Sequence, residues 1–547
     1  MKKITALLLA LLLMLGTMSA FAQSPANILE NYKQAREDIR NIIILIPDGM
    51  SPGGITLARW YKSYNENTDS FDPTVTLALD EMASGVIRTY WQTSSVLGAI
   101  TDSAPAGTAF ATGHKTNDKH IAVNGDEEKY PLATILEGAR GIGKATGLIS
   151  TSNVQHATPA AFSSHYFDRS RYDILSEQQA HQGIDVLFGA GSAYLAAEDR
   201  KDKEDMIEIV KAKGYQYITT AAEMNSLAIG PVWGMFAKGA MAYEMDREQI
   251  ANSEPSLAQM TEKAIELLNQ NEKGFFLMVE GSNVDWAAHA NDPVGVVSDV
   301  LAFDAAVEVA LDFAKADGST LVLAVTDHNN GGVTLGDRET DGSYSKDPVS
   351  RFIGPLLKAK LTGEGIEHKL DAERTNIAEV METWFGVTDL SDEEIEEIKA
   401  AGAGSMNYAV GPIISRRANL GWTTGGHTGE DVTFYSYAPG NARIWGTLDN
   451  TDVAKIASDV WGIDLDALTR QLFVNANAAF AEKGATVTVD KADENNPVLK
   501  VEKDGKTLLI PESRDHVLLD GVRIEFDSVT VQTNDTFYVP QTVIDLL

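Results

Sequence analysis

Residues 41–50 read Asn-Ile-Ile-Ile-Leu-Ile-Pro-Asp-Gly-Met, an unbroken apolar run, Ile42–Ile46, that ends on Pro47 and Asp48. Two later runs share this design. Phe275–Val279 leads into Glu280, and Leu321–Val325 leads into Thr326, Asp327 and His328. Runs this short and this rich in Ile, Val, Leu and Phe read as strands of a parallel sheet covered on both faces. In an open α/β sheet, ligands sit outside the carboxyl ends of the strands. Acidic side chains gathered at one such edge repel each other unless positive charge lies among them, and a divalent metal is the simplest source.

Outward from these runs, strand and helix signals alternate from about residue 41 to residue 480. Helices are expected at Ile135–Ala139, Leu257–Leu268 and Ala302–Lys315, and strands at Ala145–Ser150, Gly274–Val279 and Leu321–Val325. The alternation predicts βαβ units: an α/β fold with a mostly parallel central sheet and helices on both faces. Residues 333–420 break the rhythm and read as an insertion on the rim. Ser391 and Glu394 form a capping box there, and the acidic run that follows reads as a solvated helix face. Residues 485–547 change texture to short alternating runs with Asp504-Gly505 and Asp520-Gly521 turn signals, a small all-β domain. Residues 23–484 are left as the main α/β domain.

Residues 1–22 have the form of a signal peptide: Lys2 and Lys3, an apolar stretch Ile4–Leu15, then Ala20-Phe21-Ala22 before a cut ahead of Gln23. The stretch is short for a membrane anchor, and no later segment is apolar and long enough to span. Export, to periplasm or exterior, is therefore expected. The 547-residue chain has no cysteine, so its core and bound metals must hold it without disulfides. A formal charge of −33 argues against nucleic-acid or anionic-membrane partners.

The chemistry-bearing residues fall in a few clusters. Asp285 and His289 are four apart, which on a helix places both on one face and lets them pinch one zinc. Asp327-His328 offers the same donor pair at a strand end. His427 lies in Thr423-Thr424-Gly425-Gly426-His427-Thr428-Gly429, where glycines allow close backbone approach. Any one of these histidines also fits a structural role; with Asp48 and Glu280 they point to metal. Nitrogen–oxygen donors suit zinc, and an oxygen-rich corner suits magnesium. Asp102-Ser103 precedes a run of small residues, Ala104–Ala109. A serine at a helix N-terminus faces amide groups that welcome phosphate; an ordinary N-cap would explain the pair but not the long run of small residues, which lets the helix approach other backbone. Arg169 carries a planar fork suited to phosphate oxygens. Gly138–Ala145 nearly matches a nucleotide-binding loop, but Ala145 stands where Ser or Thr is needed and the element order is reversed.

Taken together, the motifs resemble the alkaline phosphatase family. They are Ile46–Met50 (IPDGM), Thr101–Thr116 (TDSAPAGTAFATGHKT), His156–Phe162 (HATPAAF), Val279–Asp292 (VEGSNVDWAAHAND), Thr326–Gly332 (TDHNNGG) and Thr423–Val432 (TTGGHTGEDV), in family order. The resemblance implies an exported phosphomonoesterase with two Zn2+ and one Mg2+, working through a phosphoserine. It implies Ser103 as nucleophile beside Asp102, and Arg169 as the phosphate clamp. Asp285, His289 and His427 match the ligands of one zinc, and Asp48, Asp327 and His328 those of the second. Asp48, Thr158 and Glu280 match the magnesium site. His156 and Trp286 stand at positions that vary within the family, close to magnesium and phosphate. Asn329-Asn330 departs from the usual residues, with little consequence expected. A homodimer is implied, which the rim insertion could make or replace. Residues 522–544 faintly resemble the small domain at the start of copper amine oxidases, a module suited to stability or to cell-surface contact. The alternatives are a phosphodiesterase or other member of the same metalloenzyme superfamily, and a non-enzymatic attached scaffold. Ser103, Thr158 and Glu280 favour the monoesterase.

Overall fold

A computed structural model of the chain describes residues 39–92, 97–441 and 443–547. The expected signal peptide lies outside the described residues. Among the described residues, no helix is long and apolar enough to cross a membrane.

The centre is a ten-stranded sheet. Its strands in chain order are β1 (Asn41–Pro47), β2 (Ala83–Arg88), β3 (Ala145–Asn153), β4 (Val186–Ala190), β5 (Gln216–Ile218), β6 (Val232–Met235), β7 (Phe275–Gly281), β8 (Thr320–Val325), β9 (Val432–Tyr437) and β10 (Thr447–Asp449). Across the sheet they run β10-β2-β9-β8-β1-β7-β3-β4-β6-β5. Only β9 runs against its neighbours; the other pairings are parallel. Every residue of β1, β7 and β8 is buried, so these three central strands have no polar face. Their alternate side chains feed two separate apolar clusters. Ile43, Leu45, Leu277, Val279 and Val322 point to one, and Ile42, Ile44, Phe276, Met278 and Leu323 to the other. The register of β1 against β7 and β8 brings all three carboxyl ends to the same edge.

The helix expected at Ala302–Lys315 is longer, Pro293–Asp317. Asp292 caps it by accepting from the Val294 amide, and Pro293 occupies its first turn. Gly295 and the β-branched Val294, Val296 and Val297 lower helix propensity there. Burial of those valines overrides the local preference.

Residues 333–420 hold five helices around an apolar cluster that includes Phe352, Met381, Phe385 and Ile413 and also takes Leu57, Val294 and Val297 from the main body. The Ser391–Glu394 capping box forms. Glu394 is tied to Arg416 and Arg417 rather than left in solvent. Near the C-terminus, five antiparallel strands from Thr486 to Glu525 pair in chain order. Asp504-Gly505 and Asp520-Gly521 make the turns, with φ of 51° and 81°, and 49° and 80°. Paired positive φ is the signature of the tight hairpin whose twist matches its strands. The apolar cluster of this sheet also draws in Ala476 and Phe480 from the preceding helix, Ala476–Glu482.

Candidate active site

Asp48 follows β1, Glu280 lies near the end of β7, and Asp327 and His328 follow β8. All four are fully buried. Buried carboxylates this close are unfavourable in isolation. Burial pushes the Asp48 carboxyl well up, and the charges of Asp327, Asp285 and Glu280 push it further. Burial likewise lifts Glu280 to about 7, against the hydrogen bonds it accepts. Both oxygens of Asp48, Oε1 of Glu280, Oδ2 of Asp327 and the hydroxyl of Thr158 are buried with no hydrogen-bond partner. In a folded protein such orphaned groups are rare, and each asks for an explanation.

The short helix Asn283–His289 places Asp285 and His289 one turn apart, as their spacing predicts. His289 Nδ1 lies 2.8 Å from the Gly425 carbonyl, and His427 Nδ1 lies 2.8 Å from the Thr101 carbonyl. Each Nδ1–H donates to its carbonyl, so Nε2 is the ring nitrogen turned towards the other groups of the site. The two Nε2 atoms face each other at 3.2 Å. Asp285 Oδ2 lies 3.3 Å from His289 Nε2, and Asp285 Oδ1 lies 3.7 Å from His427 Nε2. Burial works against a charge on His289, but its bond to Asp285 wins and holds it up at about 9. His427 is pushed down by burial and by neighbouring His328. The triangle thus brings one carboxylate and two imidazoles together, a donor set that suits a divalent cation.

Asp48, Asp327 and His328 offer ligand atoms within 4.8 Å of one another, as do Asp285, His289 and His427, and Asp48, Glu280 and His156. Their donor chemistry fits the implied ions: nitrogen and oxygen in the first two groups, mostly oxygen in the third. Ser103 opens the helix Ser103–Thr112, and its Oγ lies 3.3 Å from His328 Nε2. Asp102 does not cap that helix with its side chain. It turns instead to Arg169, whose Nη1 donates to Asp102 Oδ2 at 2.5 Å. Burial would raise the Asp102 carboxyl, yet the Arg169 charge and hydrogen bond bring it below the usual range. Arg169 Nη2 lies 2.8 Å from His156 Nε2, and the His156 ring meets Trp286 edge-on at 6.0 Å. Burial, then the Arg169 charge, pushes His156 down to about 3, so its Nε2 accepts from the guanidinium. The small residues after Ser103 bring backbones together: a Cβ on Gly107 would lie 3.1 Å from Ala161 Cβ and 3.4 Å from Thr158 Cα.

The candidate catalytic, phosphate-binding and metal-ligating residues named from the sequence lie in this one region. Others there were missed. Asn330, expected to matter little, donates to Asp285 Oδ1 at 2.7 Å and to the Asp285 carbonyl at 3.0 Å, orienting that carboxylate. Gly49 has φ +68°, and a Cβ on it would lie 2.6 Å from Asp285 Oδ1. Its place directly after Asp48 in the first motif was the available signal. The carbonyls of Thr101 and Gly425 had none. The nucleotide-loop look-alike is a turn between the helix Ile135–Gly141 and β3.

A family model described as alkaline phosphatase matches residues 39–462. Alkaline phosphatase 4 of Bacillus subtilis is 38% identical over 434 residues, covering 78% of this chain and 89% of the relative. The cold-active alkaline phosphatase of a psychrophilic Shewanella superposes with a TM-score of 0.66 at 31% identity, covering 77% of this chain and 99% of that one. A substituted form of the alkaline phosphatase from the Antarctic bacterium TAB5, solved with magnesium bound, gives a TM-score of 0.55 at 26% identity, covering 78% and 99%. On the extent of the matched model and of these similarities, the chain belongs to the alkaline phosphatase family and is a phosphoric monoester hydrolase.

Proposed function

We propose that this phosphomonoesterase works through a phosphoserine on Ser103 beside two zinc ions and one magnesium. Asp285, His289 and His427 would hold one zinc, and Asp48, Asp327 and His328 the other. Asp48, Thr158 and Glu280 would hold magnesium, with His156 adjoining. The observation that carries this reading is the set of buried carboxylate oxygens without hydrogen bonds, gathered around His328 Nε2 beside a serine hydroxyl. When bound, the cations supply Lewis-acid charge that offsets the carboxylates, lowers the pKa of a coordinated hydroxyl and stabilises the departing oxygen.

The chain's own residues do the rest. Arg169 is held by Asp102 on one side and His156 on the other, so its fork is aimed before substrate arrives. Its remaining N–H groups suit the equatorial oxygens of a phosphoryl group in transit. Ser103 Oγ gives up its proton and forms a bond to phosphorus as the ester oxygen leaves with its electron pair and takes up a proton. Water then attacks phosphorus, Ser103 leaves with a proton, and inorganic phosphate is released. Asp102 orients the arginine, and Trp286, edge-on to His156, would line the phosphate side.

Ser103→Ala is expected to abolish trapping of labelled phosphate on the protein while elemental analysis still finds the metals. Full turnover by this variant would remove the nucleophile assignment. The same reading takes residues 1–22 as a cleaved export signal, 23–484 as the catalytic domain with 333–420 as a rim insertion, and 485–547 as an appended β domain for cell-surface contact. It also takes the working form as a homodimer.

A further inference from the structure

Glu280 has two oxygens in unlike surroundings. Its direct neighbour across the parallel β3–β7 register is Ser150. Ser150, Ser152 and Ser282 are all buried. The Ser152 amide donates to both Ser150 Oγ and Ser282 Oγ, at 3.1 Å each. Ser150 therefore already accepts, and its single hydroxyl proton goes to Glu280 Oε2 at 2.5 Å. That length belongs to a hydroxyl donating to a carboxylate. Ser282 Oγ and Ser152 Oγ lie 3.0 and 2.8 Å from Ser150 Oγ and back it with further hydroxyls. The Ser282 amide is anchored in turn on Thr151 Oγ1 at 2.9 Å. Glu280 Oε1 is buried without a partner, and the residue belongs to the group with Asp48 and His156.

One carboxylate oxygen is thus occupied by a serine cluster and the other is left bare. A glutamate so restrained gives a cation one oxygen, not two. Calcium readily accepts bidentate carboxylates in a large, flexible shell. Magnesium requires near-octahedral geometry with few protein carboxylates. We propose that Ser150, backed by Ser282, is a positioning residue that limits Glu280 to a single free oxygen and so makes this corner prefer magnesium over calcium. The inference rests on the reading of Asp48, Thr158 and Glu280 as a cation site.

The test uses the full chain, stripped with chelator and reloaded with zinc. The melting temperature is followed while Mg2+ or Ca2+ is titrated, for wild type, Ser150→Ala, Ser282→Ala and Glu280→Gln. Removing an outer partner of a metal ligand typically weakens the metal about 10–100-fold. Ser150→Ala is expected to raise the half-saturating Mg2+ concentration by about that factor. Ca2+ is expected to change less or to gain, so the Mg2+/Ca2+ preference falls. Ser282→Ala shifts the same ratio by less, and it decides the matter where Ser150→Ala does not fold. Equal weakening of both cations, or titrations like wild type in both serine variants, overturns the proposal while Glu280→Gln still loses the Mg2+ response. A Glu280→Gln variant that titrates like wild type removes the cation site itself, and the proposal with it.

Discussion

Replacing Arg169 by alanine isolates the part of phosphate recognition that the chain supplies without metals. A guanidinium carries five N–H groups. Here one donates to Asp102 and one to His156, which leaves three for a phosphoryl group. Two charge-assisted hydrogen bonds at about 1.5–3 kcal/mol each give a gross loss of about 3–6 kcal/mol. Asp102 offsets some of this. Its side chain is 32% exposed, so once released it finds water instead of remaining a buried unpaired charge. The expected net loss is about 3 kcal/mol, or about 100-fold in kcat/KM. Phosphate inhibition should weaken by a similar factor. The fold should survive, because the Arg169 amide still donates to the Lys119 carbonyl and the side chain is partly exposed. Arg169→Lys keeps the charge and loses the fork, so it should fall between the two. The assays are steady-state kinetics on a monoester, competition by inorganic phosphate, and a melting curve on the same preparation. An inhibition constant for phosphate unchanged in Arg169→Ala would refute the reasoning outright.

Two further perturbations probe the frame around the site. Glu512 is buried with Oε1 unpartnered, and burial lifts it to about 8, with Arg171 opposing and Asp173 adding. The folded form keeps a proton that the unfolded chain releases from about pH 4.5, so stability is full below that pH and falls as pH rises towards 8. Glu512→Gln should flatten this loss and gain on the order of 3 kcal/mol over wild type at pH 9. A melting difference between the two proteins that is the same at pH 5 and pH 9 would reject it. Gly107→Ala should be nearly neutral, since a Cβ there needs only a small shift from Ala161. Gly107→Val should cost about 1–3 kcal/mol by overpacking and lower activity by parting Ser103 from Thr158; wild-type melting and turnover would contradict that.

Much of the fold could be read along the chain because its signals are local. Three short, unbroken apolar runs leave little choice but central parallel strands, and an acid after each marks the edge where they end. Asp285 and His289 at helical spacing, and Asp-Gly at each hairpin, are equally local statements. The start of the Pro293–Asp317 helix was misplaced for the complementary reason: its first turns are poor helix formers held by packing against distant residues.

At the site, residue types and spacing pointed to a metal, and the resemblance to the family supplied the full set of proposed donors. What each donor does with its atoms was settled elsewhere in the chain. His427 is fixed as an Nε2 donor by a carbonyl 326 residues away, and His289 by one 136 residues away. Asp102 abandons helix capping because folding brings Arg169 to it. Glu280 keeps one oxygen free because Ser150, 130 positions earlier, takes the other. Periodicity reports whether a side chain is buried and on which face. It carries no record of which partner lies across the sheet, and in a buried site that partner decides protonation, orientation and the atom offered to a ligand.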